Sequence, residues 1–94
     1  MKKNKDFTLI EGEFTPQDAK EVLINLYSSK LNFHEMKNFS SNERLGKDDD
    51  ISIKRIQELK KSILHITEMI DHAVKKKKKL VINAVVSIQI TANK

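Results

Sequence analysis

The chain has no cysteine, a single proline and two glycines in 94 residues. Without a thiol there can be no disulfide framework, thiolate zinc site or cysteine nucleophile, so packing and hydrogen bonds must hold the fold. Cysteine usage of this kind reads as intracellular, and a cytoplasmic location is expected. Gly12 and Gly46 stand far apart and Pro16 stands alone, which excludes a glycine-rich phosphate loop, collagen-like repeats and proline-rich linkers. Aromatic residues are scarce. Tyr27, Phe7, Phe14, Phe33 and Phe39 mostly fall in segments that read as structured, leaving no free platform for stacking bases. Long apolar runs are missing too: Leu80 to Ile90 is interrupted by Asn83, Ser87 and Gln89, well short of the roughly 20 residues of a membrane helix. No apolar core of a signal peptide follows the basic start at Lys2, Lys3 and Lys5, so a soluble, unsecreted chain is expected.

Charge is what the chain has in excess. Charged residues make up 33% and hydrophobic residues 38%, against about 25% and about 45–50% in ordinary globular chains. This length supports one core, and we divide the chain into a flexible basic start over residues 1–6 and a single domain over residues 7–94. The net charge is +5, from 18 basic and 13 acidic residues, and removing Lys75, Lys76, Lys77, Lys78 and Lys79 would leave 13 of each. Clustered lysines can bind phosphate backbones without sequence preference, so this run is a candidate polyanion site and the basis of an alternative reading as a nucleic-acid-associated accessory protein. Sixteen of the 18 basic residues are lysine, with arginine only at Arg44 and Arg55, whereas bidentate phosphate and guanine recognition favours arginine. A solvated helix end, complementing the negative pole of the helix dipole, is the weightier reading of the run.

Alternation of β-formers predicts a first strand over 7–14, with Thr8, Ile10 and Phe14 on one side and Glu11 and Glu13 on the other. Thr15, Pro16 and Asp18 then form a helix start, as capping residue, first-turn proline and dipole partner. The helix that follows carries two apolar lines. One runs through Ala19, Val22, Leu23, Leu26, Phe33 and Met36, the other through Ile24, Tyr27 and Leu31 to His34. Two lines imply two neighbours, a helix on one side and a sheet or partner chain on the other. Ser40-Ser41-Asn42 reads as a stop, so we place the helix end near residue 39, with a kink near Asn32. The triple Asp48-Asp49-Asp50 reads as the cap of a second helix rather than a calcium loop, because the alternating ligands and terminal glutamate are missing. In that helix Ile56, Leu59, Ile63, Ile66, Ile70 and Ala73 recur at spacings of 3, 4, 3, 4 and 3, a heptad seam. Residues 80–91 alternate as a second strand, with Ile82, Ala84, Val86, Ile88 and Ile90 facing one way.

The order strand, helix, helix, strand predicts an α+β fold: β-α-α-β, with a long antiparallel helical hairpin packed on a small antiparallel sheet. Two strands are marginal by themselves, and no residue from Leu80 to Asn93 carries a charge. A bare β-branched edge of this kind needs cover. We therefore expect a symmetric homodimer that completes the sheet, joins the helical hairpins in a four-helix layer, or does both, with Val81, Ile82, Ala84, Val86, Ile88 and Ile90 as the self-association residues.

Residues suited to chemistry are few. His65, Glu68 and His72 share a helical face, but two full turns separate the histidines, more than about 10 Å by helix rise, so one ion could not bridge them without another helix. His34, beside the apolar line of the first helix, reads as a hydrogen-bonded boundary residue. The serines sit in helix and turn contexts, with no histidine and carboxylate marking one as a nucleophile. Ser41-Asn42-Glu43-Arg44-Leu45-Gly46 marks the hairpin tip, where Glu43 and Arg44 are candidate loop contacts or, more simply, an ion pair within a turn. No catalytic, metal or cofactor site emerges. The expected function is association, with itself and with another protein.

Overall fold

A computed structural model describes residues 3–92, in the order β1 (Lys3–Phe14), α1 (Pro16–Leu45), α2 (Asp50–Lys76) and β2 (Leu80–Ile90). The two helices form a hairpin and the strands pair antiparallel, giving the expected α+β, β-α-α-β fold. Lys2, part of the expected basic start, lies outside the described residues.

Strand β1 begins at Lys3, earlier than alternation alone suggested, and Lys3 to Asp6 pair with Ile90 to Ser87. The pairing partner supplies the order that these polar residues lack by propensity. The register slips once between Thr8 and Ile10, leaving Leu9 as a bulged residue. One extra residue reverses the alternation beyond it. The apolar face of β1 is therefore built from Phe14, Ile10 and Phe7, opposite Leu80, Ala84 and Val86 respectively, and Thr8 lies on the other face instead of beside Ile10. On that other face the Ser87 hydroxyl donates to an Asp6 carboxylate oxygen at 2.7 Å. Gly12, at φ 136°, adopts a backbone conformation that side-chain-bearing residues rarely take.

Helix α1 runs to Leu45 and continues through Asn32, ending six residues past the expected end. Ser40, Ser41 and Asn42 do not stop it because the turn and the preceding helical turn engage the polar groups of Ser41 and Asn42. The Ser41 hydroxyl donates to the Lys47 carbonyl at 2.9 Å, and the Asn42 amide donates to the Asn38 carbonyl at 3.1 Å and to an Asp48 carboxylate oxygen at 2.9 Å. Gly46, at φ 68°, ends the helix in the left-handed conformation. At the other end the Thr15 hydroxyl accepts from the Asp18 amide at 3.2 Å, with Pro16 in the first turn, as the sequence indicated.

Within the hairpin, α1 turns Tyr27, Leu31 and His34 inward toward α2, whose seam residues Ile56, Leu59, Ile63, Ile66, Ile70 and Ala73 are all buried or half-buried. The other α1 line finds no such cover. Val22, Leu26, Phe33 and Met36 are exposed along most of the helix. The sheet cannot cover them because it meets the helices only near its base. The Cα extents are 50 × 37 × 15 Å, and at about 1.5 Å per residue the 30-residue α1 accounts for about 45 Å of the longest. The second extent approaches the ribbon's own length of about 40 Å, at roughly 3.3 Å per residue. The ribbon therefore runs out from the hairpin instead of lying along it.

Candidate functional site

The lysine run begins inside a helix and ends as a strand begins. Lys75 and Lys76 form the last turn of α2, where their charges complement the negative end of the dipole. Lys77 takes the left-handed conformation, φ 56° and ψ 46°, its amide donating to the Val74 carbonyl at 3.1 Å while the Lys78 amide reaches the Ala73 carbonyl at 2.9 Å. Those two bonds close the helix, a motif usually built with glycine. Lys79 Nζ lies 3.9 Å from Glu13 Oε1, with both side chains exposed, a distance at which such a pair contributes little. All five lysines are exposed. They occupy the last turn of α2, its cap and the two residues before β2, where Lys77, Lys78 and Lys79 line one shallow groove and Lys76, Lys78 and Lys79 another.

The hairpin tip has the densest polar network. The Asp49 amide donates to Asn38 Oδ1 at 2.7 Å, and Asp48 Oδ1 accepts from Asn38 at 3.4 Å as well as from Asn42. Asp49 caps α2, but its carboxylate accepts from the Ser52 hydroxyl at 2.7 Å and from no backbone amide. His34 Nδ1 lies 3.5 Å from the same hydroxyl. In a hydrolytic triad the imidazole stands between hydroxyl and carboxylate. Here the hydroxyl stands between them, and Ser52 is wholly buried, so this histidine, serine and aspartate lock α1 to α2. His34 is itself buried, and its Nε2 has no hydrogen-bond partner among the described residues. Burial, reinforced by Lys30, Arg55 and Lys37 and opposed by Asp49, holds its pKa below 6.5.

Glu43 and Arg44 are exposed and do not pair: the ion pairs among the described residues are Arg55 with Glu58, at 2.6 Å, and Lys79 with Glu13. The expected ion pair in the turn is thus replaced by the Asn42, Asp48 and Asn38 hydrogen bonds. Arg44 lies in the basic last turn of α1 and lines an open groove with Phe33, Met36, Lys37 and Leu45. His65, Glu68 and His72 are carried on α2, and among the described residues no three histidine, aspartate or glutamate side chains converge to hold a metal ion. No helix among the described residues is long and apolar enough to cross a membrane.

The residues expected to mediate self-association show graded burial. Ile82 and Ala84, near the base of β2, are half-buried, but Val86, Ile88 and Ile90 on the same face are 39%, 51% and 60% exposed. Their neighbour Phe7 is 46% exposed. Val81 belongs to the opposite face, at 70% exposure. One apolar face thus starts against the hairpin and continues uncovered. Sequence reading located this strand and the apolar line of α1, but not how much of that line stays exposed, because helical periodicity reveals an apolar line without revealing which neighbour covers it. The chain matches no protein-family model, no curated protein and no solved structure.

Proposed function

We propose that the protein is a small noncatalytic module whose role is self-association, with assembly supplying the core that one chain lacks. The observation that carries this reading is the surface area. The single chain exposes 7873 Å², whereas a folded monomer of 10.9 kDa exposes about 5,600 Å² by the usual scaling. The difference, about 2,300 Å² per chain, exceeds the roughly 800 Å² that each partner contributes to an ordinary stable interface and suits an obligate one. The apolar residues on this surface lie in large part on the outer ribbon and on the bare line of α1. A homodimer is the simplest assembly that covers them. The exposed hairpin tips then remain available to another protein.

A second reading, phosphate-backbone binding through Lys75 to Lys79, draws on the exposure of all five lysines. Light scattering behind size exclusion, at low and high salt and with or without a mixed nucleic-acid pool, separates the two. A salt-insensitive dimer that ignores nucleic acid is expected. A monomer at micromolar concentration would overturn the association reading, and a nucleic-acid complex that dissolves at high salt would favour the second.

A further inference from the structure

We infer that the open edge of β2 pairs antiparallel with the same edge of a second copy, about a two-fold axis at Val85, making a four-stranded sheet in the order β1-β2-β2-β1. This rests on the self-association reading and assigns it a surface. The sheet has two edges, and they differ in how well they are guarded. The β1 edge carries Lys5, Asp6, Glu11 and Glu13 and is interrupted by the bulge at Leu9, all features that discourage strand addition. Strand β2 has eleven residues without a charge, a proline or a bulge. Its outer row of backbone amides and carbonyls is therefore free to pair.

The register follows from the side chains. An axis at Val85 pairs all eleven residues of β2 and sets Ile82 beside the partner's Ile88, Ala84 beside the partner's Val86 and Asn83 beside the partner's Ser87. Large meets small at the centre, polar meets polar, and the two apolar faces join on one side of the sheet. A slip of one residue would turn each apolar set against the other's polar set. The antiparallel arrangement also carries Ile88 and Ile90, the most exposed residues of the apolar face, next to the partner's Ile82 and Leu80, where that chain's hairpin meets its own ribbon. Each hairpin then extends the cover that the other ribbon lacks.

Because the chain has no cysteine, any disulfide is an engineered one. Val85 is 60% exposed on the polar face, so Val85→Cys leaves the single chain intact, and at the axis the two thiols fall within disulfide reach. Under mild oxidation most of the Val85→Cys protein should run as a covalent dimer, while Leu64→Cys, on an exposed position of α2, should stay largely unlinked. Val85→Lys, which sets two like charges opposite each other, should weaken assembly by up to about fivefold and leave the circular dichroism of the hairpin in place. If the wild type assembles but the Val85→Cys protein does not cross-link, or if Ser29→Cys on the bare line of α1 links instead, the β2 pairing is overturned and self-association stands. A monomeric wild type would remove both.

Discussion

At the scale of single residues, His34 and Lys77 carry the sharpest consequences. The pKa of His34 is held below 6.5 in the fold, by burial first and then by Lys30, Arg55 and Lys37. Between that lowered value and 6.5 the unfolded chain binds a proton that the folded chain refuses, so the stability His34 contributes is complete above 6.5 and is lost as pH falls below it. Thermal unfolding followed from about pH 7.5 to about pH 5 should show a larger fall in Tm for the wild type than for His34→Leu, and equal slopes would contradict the assignment. Lys77 occupies a left-handed cap position that costs a side-chain-bearing residue about 1 kcal/mol. Lys77→Gly should therefore raise the unfolding free energy by about that amount in a urea titration; an unchanged or lowered midpoint would show that the lysine contributes something the backbone geometry does not reveal. Of these features, the sequence displayed the Thr15, Pro16 and Asp18 helix start, but it read His34 as a boundary residue where the fold buries it. It could not display the Ser52 link between His34 and Asp49, because two residues 18 positions apart in sequence meet only once the hairpin has closed.

At the scale of elements, α2 was the most legible, since a heptad pattern and a single buried seam are the same physical fact seen twice. The end of α1 was hidden because Ser40, Ser41 and Asn42 are poor helix formers, and the bonds that tie Ser41 to Lys47 and Asn42 to Asp48 exist only once the turn has formed. The start of β1 was hidden because Lys3 to Asp6 resemble a solvated tail until β2 lies beside them. The bulge at Leu9 had no local mark at all, and it decides which of Phe7 and Thr8 belongs to the apolar face. That face is where a single substitution tells most. Val86 sits on it at 39% exposure, opposite Phe7. A lysine there keeps its charge in water as long as the chain is alone and loses that water when a partner covers the face. Val86→Lys should leave the helical circular dichroism near the wild-type value and shift the elution toward the monomer. A variant that still assembles with wild-type stability would place the interface elsewhere.

At the scale of the whole molecule, shape and composition agree. A 94-residue chain packed to ordinary density has a radius of gyration of about 12–13 Å, and this one has 16.9 Å. The buried apolar residues among those described are Ile10, Ala19, Leu59, Ile70 and Ala73. That is a thin core, as expected from a hydrophobic fraction of 38%, and much of the apolar side-chain surface that could enlarge it stands on the outer ribbon and on α1. Sequence alone indicated the deficit and the uncharged strand; the extent of the uncovered face needed the angle between ribbon and hairpin, which no local pattern encodes. Whether assembly completes the core is decided by sedimentation equilibrium across a wide range of micromolar concentrations. Self-association through apolar surface requires a mass of twice 10.9 kDa that persists on dilution and at high salt; a stably folded species of 10.9 kDa at every concentration would contradict it.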